Sequence, residues 1–436
     1  MARILIHMLR EHGHLLPTIP LAHALVRAGH EVAFLLTPSW VEWARARGLG
    51  VCEYLGDVYP RGTETAWERM SADQRRTDFE ARNQRRIEWL LAGGLVRTYR
   101  AAQPDLVLGD AFDVSIPLAA RRAGVAVAQL STSVYQGREP GVPPLTSALP
   151  WGTGEAARRA ADEAWARLGA RRRARAEHDE YLAYVERMID AHAFPRALIT
   201  WNGAIAPDFP ALPMLVLCPR AFEFPRTLPS RCEYDVPSLA PRTEALDDAT
   251  LAWLGDHPLL YGAFGTQVQW RPGYRRLYDE VLALAQRRPE LRVLLATGAA
   301  WQPEYAAKAP ASVRVVASAP QHAVLRRARA MLSVGGLGTI KECVWFRVPM
   351  VLLPSREGYD PPGNAARARH HGIASVVAVE SESESELVLE EAVDVALRGE
   401  LDAAVERMHT AFAAVENDTE SGVARVERLI DRPATI

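Results

Sequence analysis

The stretch SVGGLGTIKECVWFRVPMVLLP, residues 333–354, has the pattern of a strand, a glycine turn and a helix. The apolar run Ala330–Ser333 predicts a buried strand, and Thr339–Phe346 predicts a helix before Pro349 opens another apolar run. A helix that starts directly after a strand presents free backbone N–H groups and the positive end of its dipole. We therefore expect an anion site at this turn, formed by Gly335, Gly336, Gly338 and Thr339.

The bulk composition is that of a globular protein and excludes several classes of function. Hydrophobic residues make up 48% and charged residues 24% of the 436 residues, a length that suggests two domains. The formal net charge of −2 gives no overall field that would favour a nucleic-acid partner. No apolar run is long enough for a transmembrane segment, and MARILIHMLREHGH is typical of a first strand and not of a signal peptide.

Cysteine usage indicates a cytoplasmic protein without a disulfide framework or a zinc site. The cysteines are scattered and show no paired spacing. They are Cys52, Cys218, Cys232 and Cys343. We expect no metal ion and no cofactor.

Both halves of the chain alternate predicted strands and helices. In the first half the apolar runs predict strands at 3–9, 31–37, 104–110 and 125–131, with helices at 15–28 and 114–123. In the second half they predict strands at 259–264, 292–297, 313–317, 330–333 and 349–353. This βαβ pattern predicts an α/β fold of two doubly wound, Rossmann-like domains with parallel sheets that face each other across a cleft.

The predicted domain boundaries follow the proline distribution. Residues 219–245 contain five prolines without regular periodicity, which is typical of a linker. We expect an N-terminal acceptor-binding domain at 1–218, this proline-rich linker, a C-terminal domain at 246–400, and helices at 401–436. In open α/β sheets, ligands bind beyond the carboxyl ends of the strands, so the loops there are the candidates for the site.

Two helical regions, about 58–99 and 154–192, are rich in arginine. We interpret these arginines as a solvated helix face. A peripheral contact with anionic membrane lipid is the alternative, supported by the run Arg171–Arg173.

A histidine and a carboxylate follow two strands that we expect to be neighbours. His14 lies after the first strand and can accept a proton from a hydroxyl near neutral pH, provided that a carboxylate holds its other ring nitrogen. Asp110 ends the strand PDLVLGD and is the natural partner. Each residue alone is equally consistent with a capping role, but together they favour a catalytic pair. The lesser candidates are His12, Asp105 and Asp113.

The chain resembles family 1 glycosyltransferases of the GT-B fold, most closely the bacterial members that act on natural products or lipids. The resemblance lies in GHLLPTIPLAHALVRAGHEV (13–32), GAFGT (262–266), APQHAVLRRARAMLSVGGLGTIKECVWFRVPMVLLP (319–354) and DPPGNAARA (360–368). These matches occur in both halves and in the order found in the family.

The resemblance implies an inverting transfer of a sugar from a nucleotide-diphosphate sugar to an acceptor hydroxyl. His14 would be the base, and Asp110 would orient it. The diphosphate would bind at the 335–339 helix start near Thr266. Glu342 would accept hydrogen bonds from the ribose, Gln321 would face the nucleotide base, and Asp360 with Asn364 would contact the sugar. The helix start and the Thr266 hydroxyl can stabilise the departing diphosphate without a metal.

Three positions depart from the family's donor-binding pattern. Val334 replaces a histidine that donates to the phosphate, Ser318 replaces an aromatic ring, and Pro361 replaces a glutamine after the aspartate. Arg356, or Trp270 with Arg271, could supply compensating contacts. Two interpretations stay open: a glycosyltransferase with a rebuilt donor site, and a fold repurposed for His14–Asp110 acid–base chemistry on a small molecule without sugar transfer. A non-enzymatic partner subunit is a third.

The acceptor is expected against the first half of the chain. The long proline-rich stretch 134–152 lacks periodicity, as binding loops often do. Phe112, Tyr135 and Trp151 are the candidate acceptor-binding residues, with a core position as the alternative for each. Together they predict an apolar small-molecule acceptor.

Overall fold

The computed structural model describes residues 1–239, 242–265, 274–354, 359–377 and 385–432. Within these ranges the chain forms two parallel β-sheets with helices on both faces of each. This is the predicted fold class of two Rossmann-like α/β domains.

The first sheet has seven strands within the described residues, in the order β3-β2-β1-β4-β5-β6-β7, and every pair is parallel. Its strands are β1 Arg3–His7, β2 Glu31–Leu36, β3 Gly50–Glu53, β4 Leu106–Asp110, β5 Val127–Ser131, β6 Met214–Val216 and β7 Cys232–Glu233. The helices in this part of the chain are α1 His12–Leu15, α2 Ile19–Arg27, α3 Val41–Arg45, α4 Thr63–Arg69, α5 Ala72–Leu91, α6 Gly94–Ala102, α7 Ser115–Ala123, α8 Glu155–Arg175 and α9 Glu180–Ala191.

The second sheet has six strands within the described residues, in the order β10-β9-β8-β11-β12-β13, again all parallel. Its strands are β8 Leu259–Ala263, β9 Arg292–Ala296, β10 Val313–Val316, β11 Ala328–Ser333, β12 Met350–Leu352 and β13 Ala374–Val376. The remaining helices are α10 Asp248–Leu254, α11 Arg275–Arg287, α12 Gln302–Lys308, α13 Gln321–Leu325, α14 Leu337–Trp345, α15 Pro361–His370, α16 Ser385–Leu397, α17 Asp402–Glu416 and α18 Thr419–Asp431.

Alternation along β1 explains why this strand lies between two helical layers. Ile4 and Ile6 are fully buried in a cluster with residues of α2 and α18, whereas Leu5 packs in a different cluster with residues of α6 and α7. A parallel strand that is covered on both faces needs apolar residues at consecutive positions, which is the composition of this run.

Sequence reasoning missed three strands of the first sheet, namely β3, β6 and β7. They are short, two to four residues each, and the longest of them is only partly buried. Strands of this length show no periodicity that a sequence can reveal. The segment predicted as a linker, 219–245, contains β7, so part of it belongs to the first sheet.

The first predicted helix starts earlier than expected and is divided. The predicted loop Arg10–His14 contains the start of α1, and a short 3₁₀ segment, Leu16–Thr18, separates α1 from α2. Pro17 lies in that segment and lacks an N–H for a continuous helix. His14 therefore lies on a helical turn and not in a loop. Gly29, just beyond α2, has a φ of +88°, the left-handed conformation in which glycine commonly ends a helix.

The last helix returns to the first sheet. Arg425 of α18 donates to the Asp235 carbonyl at 3.1 Å, and Arg428 pairs with Glu233 of β7 at 2.8 Å. Val426 is fully buried in the same apolar cluster as Ile4 and Ile6 of β1. Within the described ranges, none of the helices combines the length and the hydrophobicity that crossing a bilayer requires.

A fully buried ion pair joins α15 of the second domain to the segment between β6 and β7 of the first sheet. Arg367 on α15 donates to Glu223 at 2.7 Å from Nε, and Tyr234 donates to the same carboxylate at 2.6 Å. Burial opposes the charge of Glu223, but the charges of Arg367 and Arg226 outweigh it and lower the pKa of the carboxyl. Each charge of this buried pair is therefore neutralised by its partner.

We predict that Arg367→Leu destabilises the protein by about 3–5 kcal/mol, because Glu223 would stay buried without its partner. Chemical denaturation followed by tryptophan fluorescence measures the change. Arg329→Leu, which breaks the exposed pair with Asp402, is the matched control and should cost less than about 1 kcal/mol. Equal midpoints for the two variants would contradict this role for Arg367.

Candidate active site

The predicted pair of His14 and Asp110 is in direct contact. The Nδ1 atom of His14 and the Oδ2 atom of Asp110 lie 2.7 Å apart. Asp110 ends β4, which pairs with β1, so the carboxylate lies at the carboxyl edge of the sheet next to the segment that carries His14. The side chain of Asp110 is fully buried, whereas 21% of the His14 side chain is exposed.

The carboxylate of Asp110 also satisfies the backbone around it. Leu9 donates its N–H to Oδ2 at 3.1 Å, and Phe112 donates its N–H to Oδ1 at 2.9 Å. Neither donor lies in α7, and Asp113 instead accepts the Ser115 N–H at the start of that helix, so the capping role that the sequence left open for Asp110 is wrong. Both oxygens are used, which holds the carboxylate in one orientation.

His14 has two further neighbours in the first domain. The Thr132 hydroxyl lies 3.2 Å from Nδ1, and the Phe112 ring stands edge-on to the imidazole at 6.1 Å between centroids. The Nε2 atom makes no hydrogen bond with any residue that the structure describes. The histidine therefore has one nitrogen held by Asp110 and one nitrogen available for a ligand.

The electrostatic surroundings of His14 favour its charged form. Burial lowers its pKa, but the charge and the hydrogen bond of Asp110 outweigh burial, with additions from Glu11 and Asp360, and the pKa rises to about 9. The ligand-free protein therefore holds an imidazolium near neutral pH. A base needs the neutral form, so a role as a base would require this proton to leave first.

The second domain contributes Asp360 to this region. Ser133, just after β5, donates to Asp360 Oδ2 at 2.9 Å, and Asn364 donates to the same atom at 3.0 Å. Asn364 also donates to the Gly335 carbonyl at 3.1 Å, while its Oδ1 atom is buried without a partner among the described residues. The predicted sugar contacts and the glycine turn are thus brought together at the interface between the domains.

The glycine turn has the backbone that an anion site requires. Gly335 has a φ of +90°, and Gly336 directly precedes α14, whose first turn has no side-chain cap. A Cβ atom at Gly336 or Gly338 would meet nothing within 4 Å. The N–H groups at this helix start are therefore open, and Thr339 lies in the same first turn.

The structure accounts for two of the three residues that depart from the family pattern. Val334 is 8% exposed and packs in the core of the second domain. Pro361 is the first residue of α15, a position where a fixed φ suits the helix and no N–H is lost. Ser318 is exposed.

Glu342, predicted to bind ribose, is held by protein groups in this structure. Arg242 and Gln321 each make a short hydrogen bond to its carboxylate, and His322 Nε2 lies 3.0 Å away. Burial opposes its charge, but the close approach of His322 and the charge of Arg242 lower its pKa. Gln321 and Glu342 are thus neighbours, and a ribose can reach Glu342 only if these partners move.

The structure separates the three candidate acceptor residues. Phe112 lies beside His14, as described above. Tyr135 lies under the guanidinium of Arg226 and is 6% exposed. Trp151 stacks on Phe224 and meets His370 of α15, so it packs between the domains. No described contact links Tyr135 or Trp151 to His14.

The remaining candidates either make other contacts in the structure or lie outside the described residues. His12 packs on Trp40 with 4.9 Å between ring centroids, Asp105 accepts the N–H of Arg3 at 2.7 Å, and Asp113 pairs with Arg86 at 3.0 Å. Thr266, Trp270, Arg271 and Arg356 lie outside the described residues.

Sequence reasoning missed Thr132, Ser133 and Arg242. The first two follow β5 directly, and strand ends of a parallel sheet were a usable signal for them. Arg242 had no such signal. Among the described residues, no group of three or more His, Cys, Asp or Glu side chains could hold a metal ion.

Comparisons with known proteins support the fold. The glycosyltransferase family 28 C-terminal domain model matches residues 275–420. The solved glycotransferase of kitacinnamycin superposes with a TM-score of 0.67 at 20% identity, covering 98% of this chain and 99% of that chain. The chain has the GT-B fold of glycosyltransferases.

Other glycosyltransferases resemble this chain over most of its length. The oleandomycin glycosyltransferase of Streptomyces antibioticus is 24% identical over 90% of this chain and 83% of its own. The glycosyltransferase VinC, solved in complex with DTDP, has a TM-score of 0.63 at 22% identity, covering 98% of this chain and all of that chain. Both of these proteins are named as glycosyltransferases, one of them for oleandomycin.

We predict that His14 titrates near pH 9 and that Asp110→Asn lowers its midpoint below 6.5, because burial then acts without the opposing carboxylate. Histidine-selective NMR measures both midpoints, with His14→Gln assigning the signal. Because the folded pKa is the higher one, the pair's stabilisation is complete below about pH 6.5 and is lost as the pH rises through 9.

Asp105→Asn is the matched control for this titration, since Asp105 accepts the N–H of Arg3 at the opposite end of the sheet. It should leave the His14 midpoint unchanged. A wild-type midpoint near 6.5, or no change in Asp110→Asn, would contradict the coupling.

Proposed function

We propose that this protein is an inverting, metal-independent glycosyltransferase that moves a sugar from a nucleotide-diphosphate sugar to a hydroxyl of a small-molecule natural product. The observation that carries the proposal is the contact of His14 with Asp110 at 2.7 Å, beside the charge of Asp360 from the other domain. A base at one edge of the cleft and an anion site at the other are the two parts that this reaction needs.

The proposed reaction has one displacement step. The acceptor hydroxyl gives its proton to Nε2 of His14, and its oxygen forms a bond to the anomeric carbon of the sugar. The bond from that carbon to the diphosphate oxygen breaks, and the diphosphate leaves with the electron pair. Attack opposite to the leaving group inverts the anomeric centre.

Asp110 contributes by orientation and by charge. Asp110 accepts a hydrogen bond from Nδ1–H of His14, so the neutral ring carries its proton on Nδ1 and leaves Nε2 free to accept one. The charge of Asp110 then stabilises the imidazolium that forms. The open N–H groups of α14 would receive the charge that develops on the leaving diphosphate. The buried, unpartnered Oδ1 of Asn364 is an acceptor that a sugar hydroxyl would satisfy.

The contacts of Glu342 favour a second candidate function. Since Arg242, Gln321 and His322 already use this carboxylate, and Val334 removes a donor from the phosphate site, the fold could carry acid–base chemistry of His14 and Asp110 without sugar transfer. The two candidates differ in one measurable property, which is affinity for a nucleoside diphosphate.

We predict that the protein binds a nucleoside diphosphate with a Kd in the micromolar range. Gly338→Glu should weaken this binding about tenfold or more, because the new carboxylate repels the diphosphate at the helix start. Calorimetric titration with dTDP, UDP, GDP and ADP measures this. Gly338 is exposed with open space around it, so the variant should fold.

Gly154→Glu is the matched control, because Gly154 is also exposed, has open space around it, and immediately precedes α8. It should bind as the wild type does. If none of the four nucleotides binds, sugar transfer is wrong and the second candidate stands.

We predict that His14→Gln lowers kcat/KM for sugar transfer by about 10²–10⁴-fold while nucleotide affinity stays unchanged, because only the base is lost. Transfer from dTDP-glucose or UDP-glucose to a library of hydroxylated aglycones, followed by mass spectrometry, provides the assay. His12→Gln is the control, since His12 packs on Trp40 and has no contact with Asp110. Equal activities of His14→Gln and wild type would exclude His14 as the base.

A further inference from the structure

A group of polar side chains lies on the face of the first sheet that is opposite to α2. We name it the arginine–tyrosine cluster, and it consists of Arg10, Tyr54, Tyr59, Arg86, Asp113 and Tyr184. The Arg10 guanidinium lies 3.5 Å from the centre of the Tyr59 ring, and Arg86 donates to Asp113 at 3.0 Å. The charges of Arg10 and Arg86 both act on the Tyr54 phenol, so the two guanidiniums share one environment.

The arginine–tyrosine cluster adjoins the proposed active site through one tight turn. The Asp113 N–H donates to the Asp110 carbonyl at 3.2 Å, so residues 110–113 form a turn with Asp110 at one end and Asp113 at the other. Asp110 holds His14, and Asp113 holds Arg86. Arg10 lies four residues before His14 in the segment after β1. Part of the cluster and His14 therefore lie on the same two segments, those that follow β1 and β4.

Arg10 is the member of the cluster without a charge partner. Its guanidinium is half-buried and makes no hydrogen bond or ion pair with any described residue; its one described contact is the Tyr59 ring. A guanidinium has five N–H donors, and leaving them unsatisfied in a partly desolvated place costs free energy. Such a group is suited to a planar oxyanion, which it can bind through two parallel hydrogen bonds.

Unpartnered hydroxyls in the same cluster point to the same conclusion. The Tyr59 hydroxyl is buried and has no hydrogen-bond partner among the described residues. The Tyr184 hydroxyl lies near Ser115 but makes no hydrogen bond of acceptable geometry there. Buried polar atoms are nearly always satisfied, so unsatisfied ones beside an unpaired arginine indicate a ligand with oxygen acceptors.

The charges in the cluster do not cancel. Arg10 and Arg86 carry two positive charges, and Asp113 carries one negative charge. His7 hydrogen-bonds Tyr99 at 2.8 Å beneath the cluster, and burial lowers its pKa to about 4, so it adds no charge near neutral pH. One positive charge is left for a ligand to neutralise.

Two side chains around the cluster are accessible to solvent. Tyr181 of α9 is 38% exposed, yet burial raises the pKa of its phenol and the charge of Asp113 reaches it. Arg86 on α5 is also partly exposed, with 19% of its side chain accessible.

We propose that the arginine–tyrosine cluster binds a carboxylate of the acceptor, with Arg10 as its direct contact. The inference rests on the proposed function in that it takes the ligand to be the molecule whose hydroxyl meets His14. It makes the acceptor class a hydroxylated organic acid and not a wholly apolar aglycone. Arg86 and Asp113 then hold each other in place beside Arg10, which distinguishes the acid from its neutral analogue.

The experiment compares binding of 6-hydroxy-2-naphthoate and its methyl ester, followed by ligand fluorescence in the absence of nucleotide. We expect the acid to bind about tenfold or more tightly than the ester, since a hydrogen bond to a charged group contributes about 1.5–3 kcal/mol. Arg10→Gln should bring the two affinities within about threefold of each other by weakening the acid alone. Arg10→Lys, which keeps the charge, should retain part of the preference.

Arg27→Gln is the matched control. Arg27 ends α2 on the opposite face of the sheet and is exposed, so this variant changes the net charge equally without touching the cluster. The proposal is overturned if the acid does not bind, if acid and ester bind equally, or if Arg10→Gln weakens both equally. Because nucleotide affinity and the His14 dependence are measured separately, this failure would leave the proposed function intact.

Discussion

The buried carboxylate of Asp110 is the constraint on which the site depends. It accepts hydrogen bonds from the Leu9 N–H, the Phe112 N–H and His14, and its side chain has no exposed surface. These three donors come from the end of β1, the turn after β4 and α1. A single side chain thus joins two neighbouring strand ends and fixes the histidine that follows one of them. Any loss of its charge would release the imidazole and two backbone groups together.

The contact between the domains has a comparable dependence on close packing around α15. Gly363 donates its N–H to the Leu145 carbonyl at 2.8 Å, and a Cβ atom at this glycine would lie 2.2 Å from that oxygen. Arg367, one turn later, carries the buried pair with Glu223. Asp360 at the start of the same helix reaches Ser133. The long stretch 134–152, expected to bind an acceptor, is used here to hold α15 against the first domain.

The proposed donor side of the cleft combines an open helix start with side chains that depart from the family pattern. The helix start after Gly335 keeps its open N–H groups, and these do not depend on residue type beyond glycine. Val334 has instead joined the core, and Glu342 has acquired partners from α13 and from Arg242. Phosphate recognition by backbone tolerates such changes, whereas ribose recognition by Glu342 requires a rearrangement. This difference is why the nucleotide, and not the sugar, separates the two candidate functions.

The sequence by itself determined the fold class, most of the long strands and the pairing of His14 with Asp110. These features follow from periodicity and from the rule that parallel strands end at one edge, so they are local signals with a topological consequence. The short strands β3, β6 and β7 were missed because their stability comes from neighbours far along the chain. Only the tertiary structure showed that Glu342 is occupied, that Trp151 packs between domains and that Arg10 lacks a partner. Each of these features depends on contacts between side chains that are far apart in the sequence, and local composition does not predict such contacts.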